Sequence, residues 1–232
     1  GTLTLEDAWR QGFDHVALAT GAGRPTLVGM KNNLLRGIRQ ANDFLMTLQG
    51  SGAYRRSSLT NLQVELPALV IGGGLTGVDT ATELQAYYVV QVEKLLERWE
   101  TLVAQRQEAE MRRLFDREEK ATLDRWLEHG RAIRAERQEA AEAGRRPDFA
   151  RLVQAWGGVT LVYRKRVQDS PAYRLNHEEL AEALEEGIQF AECLSPVEAH
   201  PGPNGEVAAL TFERQAEVEG KWRGTGEMVQ LP

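Results

Sequence analysis

Gly72-Gly73-Gly74-Leu75-Thr76-Gly77 fits G-x-G-x-x-G, the spacing in this sequence with the clearest chemistry attached. It follows the apolar run Ala68-Leu69-Val70-Ile71 and opens a stretch of good helix formers, the strand–turn–helix context in which the pattern acquires meaning. There, Gly72 allows a tight turn, Gly74 lets the backbone approach a pyrophosphate, and Gly77 lets helix and strand pack closely. Phosphate oxygens would meet the free N–H groups and the positive dipole end of the helix. The competing reading is a strand–helix turn that holds no ligand.

A dinucleotide fold selective for NAD carries Asp or Glu about 20 residues further on, at the tip of the second strand, to hold the ribose 2′-hydroxyl. Here the second strand is expected at Val159-Thr160-Leu161-Val162-Tyr163, and it runs into Arg164-Lys165-Arg166. A cationic tip suits a 2′-phosphate, whose charge pairs with a guanidinium fork. A solvated strand end would look the same; the glycine loop beside it favours the phosphate. Gly77 and Arg164 are 87 residues apart, a stretched spacing that a helical insertion in the crossover would explain.

Other reactive side chains form no constellation. His15, His129, His177 and His200 are scattered without metal-ligand spacing and read as surface or core residues. Cys193 has no second cysteine to pair with and reads as a small core residue, and no G-x-S-x-G elbow is present. Asp79 and Glu83 lie one turn apart on the helix after the glycine loop, facing either ligand or solvent.

The elements that must hold these residues follow from pattern. Thr4 to Gln11 suits a short helix capped by Thr4, His15 to Ala19 a buried strand closed by Thr20-Gly21, Asn42 to Leu48 a helix, and Leu59 to Leu66 an extended segment. Residues 92–151 are dense in both charges and nearly free of proline and glycine. Leu95, Leu96, Trp99, Leu102 and Val103 make one helical stripe, and Met111, Leu114, Phe115, Leu123, Trp126, Leu127 and Ile133 a second. Two long paired helices are expected, with breaks at Gly130 or Gly144 and a stop at Arg145-Arg146-Pro147. A short helix from Phe149 to Trp156 returns the chain to the body. After the second strand come a polar loop with Ser170-Pro171, a helix from Asn176 to Glu186, and short strands at Ile188–Phe190, Val197–Ala199, Val207–Phe212 and Met228–Leu231. Pro203-Asn204-Gly205 is a hairpin turn signal.

With 232 residues, 42% hydrophobic and 27% charged, the chain has an ordinary globular balance and needs no disulfide or metal to hold a core. A net charge of −6 argues against a nucleic-acid footprint. One cysteine excludes a disulfide framework or a cysteine-ligated cluster within these residues, and no apolar run approaches a membrane span of about 20 residues. A cytoplasmic place is the expectation.

Taken together, Leu69 to Thr82, Leu161-Val162-Tyr163-Arg164-Lys165, Ser170-Pro171-Ala172-Tyr173-Arg174 and Glu185-Glu186-Gly187-Ile188-Gln189-Phe190 resemble the NADPH-binding domain of the glutamate synthase small subunit. They are also similar to the flavoprotein half of dihydropyrimidine dehydrogenase. Phe13 to Gly21 resembles the Ala-Thr-Gly segment of two-dinucleotide flavoproteins, and Ser195-Pro196-Val197-Glu198 and Gly220-Lys221-Trp222 echo that family's closing strands. The likeness spans most of residues 13–91 and 152–232 and none of the helical insertion.

The resemblance implies that Gly72, Gly73, Gly74, Leu75, Thr76 and Gly77 hold the pyrophosphate, with Arg164, Lys165 and Arg174 on the 2′-phosphate. Asp79 matches a family aspartate just inside the helix, and Thr20 and Gly21 lie on the flavin side. The expected fold is α/β: a discontinuous Rossmann-like NAD(P)-binding domain, residues 1–91 and 152–232, with a small antiparallel meander and an inserted helical hairpin, residues 92–151. The implied activity is NADPH:FAD oxidoreduction in a larger flavoenzyme, with no catalytic acid, base or nucleophile on this chain. Only one glycine-rich phosphate loop is present, so FAD is expected on the parent protein and not here, and these residues alone are expected to be inactive. The implied partners are the FAD-binding and iron–sulfur portions of that parent. The rival is a protein-interaction module in which the charged hairpin docks a partner and the α/β body is scaffold.

Overall fold

The computed structural model describes residues 3–18 and 27–232. Near the N-terminus Thr4 caps α1 (Leu5–Arg10) as its sequence predicts. The Thr4 hydroxyl accepts from the Asp7 N–H at 3.2 Å while the Asp7 carboxylate accepts from the Thr4 N–H at 2.8 Å, a reciprocal capping box. The strand expected at His15–Ala19 is not found. Its described residues, His15 to Leu18, lie outside any ladder, with Leu18 76% exposed. An apolar run becomes a strand only where a neighbour takes its N–H and C=O groups, and none pairs with it among the described residues. Thr20 and Gly21, with Ala19, lie outside the described residues.

The body is mixed α/β. After α2 (Ala41–Gly50) come β1 (Ala68–Ile71), α3 (Leu75–Gln105), α4 (Glu108–Arg112), α5 (Arg117–Glu142), α6 (Phe149–Ala155) and β2 (Val159–Val162). Then follow α7 (Pro171–Glu185), β3 (Gln189–Ala191), β4 (Leu194–Pro201), β5 (Val207–Val218) and β6 (Lys221–Leu231). β1, β2 and β3 make a parallel sheet in that order, with Ile71 beside Val162 and Val162 beside Ala191. β4, β5 and β6 make a separate antiparallel sheet. The sheets meet through Val162, Leu194, Ala199, Leu210 and Phe212, with Leu69 and Ile71 packed against them. The other face of the parallel sheet packs on α3 and α7 through Val70, Val78, Ala81, Leu161, Leu180 and Ala183.

α3 is one uninterrupted helix of 31 residues that leaves the glycine turn and becomes the first arm of the hairpin. The boundary drawn at residues 91 and 92 therefore falls inside a helix, and one cluster joins Tyr87, Tyr88 and Val92 to Trp126, Ile133, Val153, Phe44 and Leu48. On the same helix a polar stripe faces residues 53–64. The Tyr87 hydroxyl accepts from the Leu62 N–H at 2.9 Å, and the Gln91 amide bonds both the Val64 N–H (2.8 Å) and the Val64 carbonyl (2.9 Å). Lys94 Nζ donates to the carbonyls of Ala53 and Thr60, and Arg98 to those of Arg56 and Ser58. Residues 59–64 alternate exposed and buried, as the expected extended segment should, yet side chains rather than a strand satisfy this backbone.

The hairpin packs on itself. Trp99 and Trp126 are buried, and Phe115 is half-buried with its ring centroid 6.2 Å from that of Trp99. His129 is a core histidine: its Nδ1 lies 2.7 Å from the Tyr88 hydroxyl and its ring stacks on Trp156 at 3.8 Å. Gly130, read from sequence as a possible break, sits inside α5 and is buried. A Cβ there would lie 2.7 Å from the Val92 carbonyl oxygen and 3.0 Å from Leu96 Cβ, so the glycine marks the close crossing of α3 and α5. Gly144, at φ 64°, ends the helix instead. Beyond it, the buried Glu136 carboxylate accepts from Arg145 Nη1 (2.5 Å) and from the Asp148 N–H (2.7 Å), fastening α5 to the start of α6. The Arg145 hydrogen bond, then that of Asp148, hold its pKa down to about 2.

Two outcomes follow from this packing. Alanine in place of glycine favours a helix by about 1 kcal/mol, whereas overpacking costs about 1–3 kcal/mol, so Gly130→Ala is expected to lower the unfolding free energy. Urea unfolding checks this; a gain in stability would remove the crossing. Glu136 has a lowered folded pKa, so its contribution is complete above the ordinary 4.5 and is lost as pH falls toward about 2. The stability gap between wild type and Glu136→Gln should close across that window in thermal melts taken at stepped pH.

Candidate functional site

β1 and β2 run parallel, so the chain leaves both at the same end of the sheet. There the Gly72 N–H donates to the Val162 carbonyl at 3.0 Å, and Gly72 (φ 154°) and Gly73 carry the backbone to Gly74, the N-cap of α3. The three glycines do different work. A Cβ on Gly77 would stand 3.0 Å from the Gly72 carbonyl oxygen and 3.4 Å from Leu161 Cδ1, so this position brings helix, turn and strand together. A Cβ on Gly73 would collide with the Tyr163 ring, which lies against the loop. Among the described residues nothing lies within 4 Å of where a Gly74 Cβ would be, and its φ is −94°. No side chain among the described residues caps α3, and its first turn holds no acidic residue. The helix therefore offers uncapped N–H groups and its positive end to open space. Leu75 is half-buried against the sheet and Thr76 is exposed.

Arg164 follows β2, two residues beyond the last β1–β2 pair, at the end of the sheet where the glycine turn leaves β1. Arg164 is exposed and Lys165 half-buried, and neither forms an ion pair among the described residues. Arg166 is committed elsewhere. Its Nε donates to Asp169 Oδ2 at 2.7 Å, its Nη2 to Glu217 Oε2 at 3.2 Å, and its guanidinium lies 5.6 Å from the centre of the Trp222 ring. Arg174, mostly exposed, has its Nη2 3.9 Å from Asp169 Oδ1. The Arg166 hydrogen bond, helped by the charges of Arg166, Arg174 and Lys165, holds the Asp169 carboxyl below the usual range. Asp79 lies on the second turn of α3, exposed; desolvation of its carboxyl and then the charge of Glu179 push it upward.

The structure thus gathers Gly72 to Gly77, Arg164, Lys165 and Arg174 at one end of the parallel sheet, with Asp79 a turn deeper along α3. Several participants were not marked by sequence pattern. Ser170 and Pro171 are the N-cap and first residue of a short helical turn rather than a loop, with the Ser170 hydroxyl accepting from the Tyr173 N–H at 3.1 Å; the backbone breaks at Asn176 (φ −157°, ψ 81°), where the expected helix begins. Serine followed by proline is a helix-start signature that could have shown this. The Ala172 N–H then donates to the Gly73 carbonyl at 3.0 Å, tying the new helix to the glycine loop. Tyr163 and Asp169 carried no pattern that marked them. Cys193, expected in the core, is a half-buried corner at φ 58° whose N–H donates to the Lys165 carbonyl at 3.1 Å. It stiffens the basic tip, and desolvation pushes its thiol up.

No group of histidine, cysteine and carboxylate side chains suited to a metal ion occurs among the described residues, and no helix there is long and apolar enough to cross a membrane. No family model matches the chain. An uncharacterized protein of Rickettsia prowazekii (strain Madrid E) is 36% identical to it over 210 residues, covering 90% of this chain. The chain spans 27% of the length of that relative.

The loop geometry separates two glycines that the pattern alone treats alike. Gly73→Ala drives a methyl into the Tyr163 ring and is expected to cost about 1–3 kcal/mol of stability. Gly74→Val places its Cβ in space open among the described residues at an allowed φ, and should cost less, its loss confined to a poorer helix cap. Parallel urea titrations compare them, and equal losses would contradict the placement of the Tyr163 ring.

Proposed function

We propose that this chain is a Rossmann-like NADPH-binding unit of a larger FAD-dependent oxidoreductase similar to the glutamate synthase small subunit. One observation carries the reading. A helix N-terminus at Gly74 without a side-chain cap, where Gly77 lies close to the Gly72 carbonyl and to Leu161 of β2, stands at the same end of the sheet as Arg164 and Lys165, which form no ion pair among the described residues. That donor set fits a dinucleotide phosphate: backbone N–H groups and a helix dipole for the pyrophosphate, a guanidinium and an ammonium for a 2′-phosphate. The relative supports the view that such a unit belongs to a longer chain.

In this reading Gly74, Leu75 and Thr76 present backbone N–H groups to the pyrophosphate, and Gly77 lets the helix come close enough to do so. Tyr163 keeps the loop in shape, and Arg164 and Lys165 choose between the two nicotinamide nucleotides. Bound NADPH supplies a hydride to a flavin held by the rest of the longer protein, and FAD and iron–sulfur partners belong to that part of the proposal, as does a cytoplasmic place. This chain's residues bind and orient; none acts as acid, base or nucleophile. The alternative of a docking hairpin is the weaker reading, because Trp99 and Trp126 are buried within the fold and Phe115 is half-buried beside Trp99.

The test is a titration of the chain with NADPH and NADH, followed by nucleotide fluorescence or calorimetry. NADPH should bind more tightly. A hydrogen bond to a charged group is worth about 1.5–3 kcal/mol, so Arg164→Ala should weaken NADPH roughly 10- to 100-fold and leave NADH nearly unchanged. Gly74→Val should abolish both in a folded protein. Wild-type affinity in either variant would overturn the assignment.

A further inference from the structure

Among the cations of the basic tip sits Asp169, whose charge has the wrong sign for a phosphate site. Asp169 closes a short 3-10 turn, Val167–Asp169, just before the N-cap of α7, and its side chain is only 19% exposed. It faces Arg166 at 2.7 Å and Arg174 at 3.9 Å. The two cations are not held alike. Arg166 keeps Glu217 and the Trp222 ring if Asp169 is neutralised, whereas Asp169 is the one anionic partner of Arg174 among the described residues. Arg174 itself is 69% exposed and free to swing on a long side chain.

Resting on the nucleotide site proposed above, we infer that Asp169 is a specificity-determining residue: its carboxylate occupies Arg174 and opposes a 2′-phosphate, moderating the preference for NADPH over NADH. The argument is one of charge. A 2′-phosphate brought to Arg164 and Lys165 approaches an ionised carboxylate, which repels it, and must compete with that carboxylate for Arg174. The 2′-hydroxyl of NADH carries no charge and can donate to the same carboxylate, so the residue that disfavours one nucleotide does not penalise the other. Asp169 stays ionised at neutral pH, since the Arg166 hydrogen bond holds its pKa below the ordinary value. Removing the charge at fixed shape releases Arg174 and lifts the repulsion while Glu217 and Trp222 keep Arg166 in place.

The experiment measures NADPH and NADH affinity of the intact chain for wild type, Asp169→Asn, Arg174→Ala and the double variant, at low and high salt, with a thermal melt of each. Asp169→Asn should raise the NADPH-to-NADH affinity ratio roughly three- to tenfold at low salt, and the gain should shrink as salt screens it. The double variant should lose most of that gain, because Arg174 is what the carboxylate restrains. An unchanged or lowered ratio in an Asp169→Asn protein that melts like the wild type overturns the inference and leaves the nucleotide site standing. If Asp169→Asn does not fold, Asp169→Ser decides by the same ratio: a rise that salt screens supports the inference, and an unchanged or lowered ratio overturns it. A wild type that binds neither nucleotide overturns the site and the inference together.

Discussion

α3 is the constraint on which the other elements depend. Its first turn must start where β1 ends, with Gly77 close against the Gly72 carbonyl, and that contact fixes the helix axis relative to the sheet. Thirty-one residues of unbroken helix then extend the same axis to the far end of the hairpin. Everything packed along it inherits its direction: α7 and the sheet near its start, residues 53–64 and α2 in its middle, α5 across Gly130. The glycine loop is therefore held from behind by the whole length of the helix and from the side by α7, whose Ala172 N–H bonds Gly73. Such a rigid cradle suits a site whose task is to orient a ligand.

Much of this was readable in the residues. The strand–turn–helix around Gly72 to Gly77, the capped α1, the end of α5 at Gly144 and the second parallel strand all announce themselves through short-range rules of capping, periodicity and turn chemistry. What escaped depends on contacts between distant positions. The apolar run at His15 has strand composition, but strand formation is decided by a neighbour that residue types do not reveal. Gly130 reads as a helix breaker, and only the approach of Val92, 38 residues earlier, shows why it belongs inside a helix. The basic tip was legible as charge. Which of its cations are engaged was not, because Glu217 and Trp222 reach Arg166 from the antiparallel sheet some 50 residues away.

That contact joins the two sheets electrically as well as through their apolar faces. Arg166 is shared between the turn that bears Asp169 and the outer half of the β5–β6 ribbon, while the Cys193 carbonyl accepts from the Gln215 N–H at 2.7 Å close by. The meander is thus a buttress for the tip of β2, and the residues that could meet a nucleotide rest on it.

The side-chain stripe of α3 has an evolutionary corollary. Strand partners recognise a backbone by a repeating ladder that can slip by two residues and form again. Tyr87, Gln91, Lys94 and Arg98 differ in length and chemistry, and each meets its own rung of residues 53–64. Leu59 faces solvent, so substitutions there should accumulate freely among descendants of this gene. An inserted or deleted residue, by contrast, would shift several unlike rungs at once. The segment should prove variable in letter and fixed in length, the reverse of what is usual for a chain without secondary structure.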